Sequence, residues 1–294
     1  MASDFATGET STSTYNDVSY TAIITDQVLD ALMAAVVTPD KLDFYDISGK
    51  ESVAVNIPKA QALTAAAATE GAEVTNTALS SDVVTLTAAE IAVQITVTDV
   101  LELSDIPAAK GARLRTLGRS LADKLDVDIC ALLDNFTTVV GTTTVNLSLA
   151  NMTDVVFNLE VNNAMGNGAP VGVFHPRQTA DLREAIDAEA GVAYSNTAGL
   201  GASALGFGPS PGYFGNWFGI PIWQSTNVAT ANAGADRGGA VFIAGYALGL
   251  VQKWAAKVET MRWPPIRGYV VTAHMNYGVG EIQDLAGISV ITDA

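Results

Sequence analysis

Apolar and polar residues alternate in two stretches of the first hundred residues. Val53, Val55 and Ile57 alternate with other residues in "ESVAVNIP", and the alternation returns in residues 91–97. A period of two predicts β-strands, because successive side chains of a strand point to opposite faces. The Ala- and Thr-rich link between the two stretches is longer than the usual connection in a compact domain. The pattern therefore predicts a long β-hairpin that packs on something outside its own core.

The clearest helical pattern extends over residues 104–136. Ser104 or Asp105 can cap its start, and Pro107 falls in the first turn, where proline is tolerated. The apolar residues that recur at helical spacing are Leu114, Leu117, Leu121, Leu125, Ile129, Leu132 and Phe136. This spacing predicts one amphipathic helix of roughly 30 residues, or roughly 45 Å, which is the length of a spine rather than of an ordinary packing helix.

The rest of the chain predicts a mixture of helices and strands. A short helix is expected in "TDQVLDALMAAVV", ended by Pro39, and two more in "MTDVVFNLEVNNAMG" and "RQTADLREAIDAEA". A short buried strand is expected in "APVGVFHP", and the apolar stretches after residue 216 have strand character. The predicted fold class is therefore α+β.

Composition narrows the classes of protein that this chain can represent. Hydrophobic residues make up 49% of the 294 residues, and the formal net charge is −16. A chain this apolar is not disordered, and one this acidic lacks the basic surface of a sequence-reading nucleic-acid binder. The start has no signal-peptide pattern, and the longest apolar run, residues 240–251, is too short to span a bilayer. We therefore expect a soluble protein that is made inside the cell and has no membrane partner.

The cysteine and the two histidines give little indication of a disulfide, a metal site or a catalytic site. Cys130 is the single cysteine, which excludes an internal disulfide and a cysteine zinc site. His175 precedes Pro176 at the end of a predicted strand, and His274 lies in an apolar strand pattern. A catalytic base needs a positioned partner, and neither histidine has one in the sequence. Both are interpreted as structural residues.

Two pairs of carboxylates have a spacing that raises the question of a metal site. Asp126 and Asp128 resemble a metal-binding pair, but residues two apart on a helix do not face each other. Glu281 and Asp284 are expected to be solvated. The sequence therefore predicts no catalytic, cofactor-binding or metal-ligating residue, and no cofactor.

The stretch "GPSPG", which is Gly208-Pro209-Ser210-Pro211-Gly212, matches the G-x-S-x-G pattern of the serine hydrolase nucleophile elbow. An elbow uses the backbone N–H of the residue after the serine, and proline has none. The surrounding glycines also lack the spacing and the basic residue of a phosphate-binding loop. We interpret the run as a flexible surface loop and keep a serine hydrolase as an alternative of another class.

Five of the fifteen basic residues lie on the long predicted helix: Lys110, Arg113, Arg115, Arg119 and Lys124. One interpretation is a solvated helix face whose charges are balanced by acidic neighbours such as Asp123. The other is a local positive strip that contacts a DNA phosphate backbone or a neighbouring subunit. The sequence leaves both open.

The order of these elements resembles that of the tailed-bacteriophage major capsid proteins of the HK97 fold. The hairpin from "GKESVAVNIPKAQ" to "IAVQITVTDVLEL" is similar to the family's extended loop (E-loop), and "LGRSLADKLDVDICALL" is similar to its spine helix. The remaining stretches that carry the resemblance are "PVGVFHPRQTADLREAI", "YFGNWFGIPIWQSTNV", "GAVFIAGYALGLVQKWAAKVET" and "YGVGEIQDLAGISVI". The resemblance implies an N-terminal arm (1–45), an E-loop (46–101), a peripheral domain (102–146 and 258–294) and an axial domain (147–257).

The resemblance also implies a function. It implies a structural subunit that self-assembles as hexamers and pentamers into an icosahedral shell around double-stranded DNA. The implied partners are other copies of the chain, a separate scaffolding protein, a portal, a decoration protein and, without sequence preference, the packaged DNA. The implied location is the virion, after synthesis in the host cytoplasm. An encapsulin, a cellular shell protein with an enzyme cargo, stays an alternative.

Some members of this family join their subunits covalently through an E-loop lysine. Residues 60–82, the distal part of the predicted hairpin, contain no lysine, and Lys50 and Lys59 lie at its base. We therefore expect no isopeptide cross-links between subunits. The fold is expected to begin within the first 25 residues or so, which favours a separate scaffolding protein over a long N-terminal scaffolding segment.

Overall fold

A computed structural model describes most of the chain. The described residues are 38–59, 65, 67–68, 70–71, 73, 82–104, 107–190, 212–217, 219–231 and 236–293. The short helix predicted before Pro39, and most of the glycine-rich run that contains Ser210, lie outside them. No helix within the described ranges is long and apolar enough to cross a membrane.

The first layer is a four-stranded sheet in the order β1-β11-β12-β4. Its strands are β1 (Asp43–Asp46), β4 (Ala89–Thr98), β11 (Leu248–Trp263) and β12 (Gly268–Glu281). β1 runs parallel to β11, whereas β11 and β4 both pair antiparallel with β12. Alternate residues of β4 are half-buried and exposed, which confirms the period of two that predicted a strand here.

The long helix packs on this sheet, and it is shorter than predicted. A separate helix, α1 (Asp99–Ser104), precedes α2 (Pro107–Cys130), which has 24 residues and is therefore about 36 Å long. Residues 131–134 form a turn, because here backbone hydrogen bonds join residues three apart instead of four. One of them runs from the Leu132 N–H to the Ile129 carbonyl (3.0 Å). Phe136 is buried as predicted, but from beyond the helix.

The predicted hairpin is confirmed, but it uses fewer residues than expected. β2 (Ala54–Lys59) pairs antiparallel with β3 (Asp82–Thr87) in a separate two-stranded sheet. The second alternating stretch breaks at Ala88, and the following strand joins β12 instead of β2. The residues "DVLEL" that end this stretch are helical rather than extended, because they begin α1.

The second layer is a seven-stranded sheet in the order β5-β13-β10-β6-β8-β7, with β9 beside β10. Its strands are β5 (Val139–Val140), β6 (Pro170–Phe174), β7 (Tyr213–Trp217), β8 (Ile220–Gln224), β9 (Thr230–Ala231), β10 (Asp236–Ile243) and β13 (Gly287–Asp293). β6 and β8 are parallel, and the connection between them contains a helix, as parallel neighbours require. The closing strand β13 pairs with β10.

Two further helices accompany this sheet, α3 (Leu149–Val161) and α4 (Pro176–Ala190), close to the predicted positions. Ser148 caps α3 by accepting a hydrogen bond from the Asn151 amide (3.2 Å). One continuous core joins both sheets and α2, and it includes Leu121, Phe242 and Met275. A smaller core beneath the hairpin contains Ile47, Leu86, Ala88 and Val251.

Candidate assembly surfaces

The β2–β3 hairpin is amphipathic. Val55 lies opposite Leu86, and Ile57 lies opposite Val84, so these four apolar residues share one face. The other face is exposed, and there the Thr85 hydroxyl donates to Asn56 Oδ1 (2.8 Å). Only Leu86, at the base, is fully buried, whereas the other three apolar side chains are half-buried. The apolar face of the hairpin therefore continues beyond the core that its own chain supplies.

Glycines hold the base of the hairpin against the four-stranded sheet. Gly249 on β11 lies directly opposite Gly280 on β12, and Gly278 is two residues away on the same face. A Cβ at Gly280 would lie 2.4 Å from Leu86 Cδ2, and one at Gly278 would lie 2.1 Å from the Thr87 carbonyl oxygen. We call these three residues the glycine floor. Side chains there would push the hairpin away from the sheet.

The glycine floor was not predicted from the sequence, although a signal was present. "YGVGE" places two glycines at a spacing of two inside a strand pattern, and such glycines mark a close backbone approach. Two further bonds fix the base: Ala88 N–H donates to the Val53 carbonyl (2.8 Å), and Lys253 Nζ donates to the Ser52 carbonyl (3.3 Å).

A second surface lies at the far end of β11 and β12. Val100, Leu103, Met261 and Trp263 are exposed by 77%, 89%, 61% and 44%, and we call them the tip patch. Beside it, the Arg262 guanidinium forms a two-pronged ion pair with the Asp99 carboxylate (2.9 and 3.2 Å). Scattered exposed apolar residues are ordinary, whereas a contiguous patch of them can form an interaction surface, so the tip patch is a candidate for one.

A third surface lies on α3. Phe157 and Val161 are four residues apart on the helix and both are exposed. Asn162 Nδ2 donates to the Leu285 carbonyl (3.2 Å), and the Leu285 side chain is also exposed. The buried face of the same helix consists of Met152, Val155 and Leu159. The helix is therefore apolar on two sides, of which only one meets its own core.

The described basic side chains of α2 lie on different sides of the helix. Arg115 and Arg119 are exposed and one turn apart, whereas Lys124 is paired with Asp128 (2.6 Å). At about 100° per residue, Arg115 and Lys124 lie about 180° apart around the helix. Lys110 and Arg113 belong to the same helix, but their side chains lie outside the described part. Contact of these residues with DNA or a neighbouring subunit stays a prediction.

The two helix carboxylates face apart, as the sequence predicted. Asp128 accepts from Lys124 and from the Tyr277 hydroxyl (2.8 Å) at the helix surface. Burial raises the pKa of Tyr277, and the bond to Asp128 adds to this effect. Asp126 is buried and accepts only from hydroxyl and amide groups. Within the described ranges, no group of three acidic, histidine or cysteine side chains could hold a metal ion.

The other candidate residues have structural surroundings. His175 Nδ1 accepts from the Arg177 amide (3.1 Å) and so caps α4, and burial lowers its pKa, with the Arg237 charge adding to the effect. Glu281 and Asp284, which were expected to be solvated, are half-buried. Asp284 accepts from the Thr137 amide (2.8 Å), and burial, with the Asp284 charge adding to the effect, raises the pKa of Glu281.

Comparisons with known proteins bear on this arrangement. No family model matches the chain, and no curated protein matches it. Solved structures do match: the capsid of the cyanophage P-SCSP1u has a TM-score of 0.64 at 15% identity, over 88% of each chain. A structure from Mycobacterium phage Che8 has a TM-score of 0.65 at 19% identity, over 82% of this chain and 85% of that one.

A virus-like particle from Pyrococcus furiosus also matches, with a TM-score of 0.59 at 11% identity, over 92% of this chain and 99% of that one. These matches cover more than four-fifths of each chain, so most of the fold is shared. At these identities the likeness concerns the fold and not the individual side chains. The chain therefore has the fold of phage capsid subunits, the HK97 fold, as the order of its sequence elements predicted.

Proposed function

We propose that this chain is a structural major capsid protein that self-assembles as hexamers and pentamers into an icosahedral shell around double-stranded DNA. The observation that carries the proposal is the β2–β3 hairpin, whose apolar face is only partly covered by its own chain. A two-stranded hairpin alone is marginally stable in water. Half-buried Val55, Ile57 and Val84 become fully buried if the hairpin also lies on a neighbouring copy.

The tip patch and the α3 surface support the same proposal. Obligate interfaces are large and apolar, and they leave apolar side chains exposed when a subunit is considered alone. Both surfaces lie on regular secondary structure, and the ion pair between Arg262 and Asp99 adds rigidity to the tip. Rigid apolar ends suit repeated contacts between many identical copies.

The two sheets suggest how the proposed domains divide. We assign the four-stranded sheet with α2 to the peripheral domain, and the seven-stranded sheet with α3 and α4 to the axial domain. This proposed division differs from the predicted boundaries, 102–146 with 258–294 and 147–257. β4 lies in the predicted E-loop, β5 belongs to the seven-stranded sheet, and residues 248–257 of β11 belong to the four-stranded sheet. Because β13 pairs with β10, we place residues 287–293 with the axial sheet.

The proposed partners follow from charge and from the shell itself. A net charge of −16 repels packaged DNA over most of the surface, so exposed Arg115 and Arg119 are the proposed contacts with its phosphates. A separate scaffolding protein, a portal and a decoration protein are proposed on the resemblance alone. The proposed location is the virion, after synthesis in the host cytoplasm, and we propose no catalytic role.

Electron microscopy of the purified full chain, alone and co-expressed with a candidate scaffolding protein, tests the proposal. We expect closed shells or tubes, and shells from infected cells that contain DNA. A chain that sediments as a monomer at high concentration under both conditions would contradict the proposal. Shells that contain an enzyme and no DNA would replace it with the encapsulin alternative, and labelling of Ser210 by a fluorophosphonate would revive the hydrolase alternative.

A further inference from the structure

A buried carboxylate joins three distant segments of the chain. Asp126, on α2, is 3% exposed. Its Oδ1 accepts from the Thr38 hydroxyl (2.7 Å), and its Oδ2 accepts from the Ser225 hydroxyl (2.6 Å) and from Asn227 Nδ2 (3.0 Å). The three donors are neutral, and they come from the end of the proposed N-terminal arm and from the loop after β8. On burial the carboxylate loses its hydrogen bonds to water, and the bonds from these three donors replace them.

Lys41 makes a second connection between the same regions. Its buried ammonium group lies 3.9 Å from the centre of the Trp223 ring, on β8, and 2.5 Å from the Asp40 carboxylate. The Lys41 carbonyl accepts from the Gly245 amide (2.9 Å), in the turn between β10 and β11. The Lys41 amide in turn donates to the Thr38 carbonyl (3.1 Å), which links this connection to Asp126.

Residues 38–42, which we call the arm junction, therefore close a ring of contacts. The ring runs from Thr38 to Asp126, on to Ser225, back along the chain to Trp223, and from there to Lys41. The Ser225 amide donates to the Phe174 carbonyl (3.1 Å), so the ring is also tied to the end of β6. Leu42 completes the junction by entering the main core.

We propose that Asp126 is a positioning residue for assembly, which holds the arm junction, α2 and the loop after β8 in one fixed relation. This inference rests on the proposed function and adds a part to it. A buried polar network acts as a unit, because removal of one donor weakens the bonds that remain. The arm junction therefore keeps one fixed position on α2 only while the loop after β8 is also in place.

Hydrogen exchange on the purified full chain tests the coupling. Thr38→Val removes one hydroxyl donor and keeps the side-chain shape, Thr38→Ser restores the hydroxyl, and Thr85→Val removes an exposed threonine bond of the same kind. We expect Thr38→Val to speed exchange about tenfold at the Ser225 and Gly245 amides, far from the substitution in sequence. Thr38→Ser and Thr85→Val should leave those amides unchanged. Faster exchange confined to residues 38–42 would overturn the inference.

Assembly of the same variants tests the positioning role. We expect Thr38→Val to give fewer or irregular shells and Thr38→Ser to restore regular ones. Faster exchange together with normal shells would overturn the positioning role. If Thr38→Val does not fold, Lys41→Met gives the same readouts through Trp223. If the unaltered chain forms no shells, the proposed function fails, whereas the exchange result still decides whether the junction acts as a unit.

Discussion

Gly249 and Gly280 lie directly opposite each other on β11 and β12, and the Leu86 side chain of the hairpin fills the space above both. A Cβ at Gly249 would lie 2.9 Å from Leu86 Cδ1. We propose that this hairpin contacts neighbouring copies. It packs closely on the sheet because Gly249 and Gly280 have no side chain. Its direction depends on the sheet beneath it.

We expect Gly280→Ala to loosen the hairpin. The added methyl group would overlap Leu86, and overpacking of this kind costs about 1–3 kcal/mol of the free energy of unfolding. Thermal unfolding should show a lower Tm, and hydrogen exchange should rise in residues 82–88. Gly166→Ala is the matched control, because a Cβ at Gly166 meets nothing within 4 Å. Equal Tm values for the two variants would show that Leu86 does not need the glycine floor.

Leu103→Ser should separate folding from assembly. The side chain is 89% exposed, so we expect the free energy of unfolding to change by no more than about 0.5 kcal/mol. Shell formation should fall sharply if the tip patch meets another copy. Val145→Ser removes an exposed valine from a loop outside the tip patch and is the control. Normal shell yield for Leu103→Ser would remove the tip patch from the proposed assembly surfaces.

Assembled particles should contain no covalent links between subunits. Residues 60–82 contain no lysine, and Lys59 lies at the end of β2. Boiled and reduced particles should give a single band at the monomer position on a denaturing gel. A ladder of multimers that resists boiling would contradict this expectation.

Asp134 should make stability depend on pH. Burial raises the pKa of its carboxyl above the ordinary value, and its Oδ1 is buried without a hydrogen-bond partner in the part of the chain that the structure describes. A carboxyl whose pKa is higher in the folded protein binds more protons when folded. Its contribution to the free energy of unfolding therefore decreases as pH rises from the unfolded value, about 3.9, through the raised folded value.

Asp134→Asn removes this titration. We expect it to raise the free energy of unfolding relative to the unaltered chain at pH 7, and the difference to shrink as pH falls toward about 4. Urea unfolding over this pH range measures the free energy of unfolding of the variant and of the unaltered chain. Asp154→Asn, which changes an exposed carboxylate on α3, is the control. A difference that stays constant with pH would mean that Asp134 does not titrate as described.

Periodicity in the sequence by itself determined most of the helices and strands. The stripe that contains Leu117, Leu121 and Ile129 is buried on a helix, and the alternating residues of β2 and β4 lie in strands. These patterns are local, because each reflects which side of one element faces the core. The order of the elements, which is also a property of the sequence, was enough to predict the fold.

Strand pairing and the polar contacts were decided by the tertiary structure. The same alternation suits β4 whether it pairs with β2 or with β12, and the sequence favoured the wrong partner. The donors to Asp126 lie at Thr38 and Ser225, far away in the chain, so no local sequence pattern indicates them. A periodic pattern in the sequence indicates which residues of one element are buried. A hydrogen bond, or a close contact at a glycine, depends instead on which distant residue lies beside it. Only the folded chain brings those neighbours together.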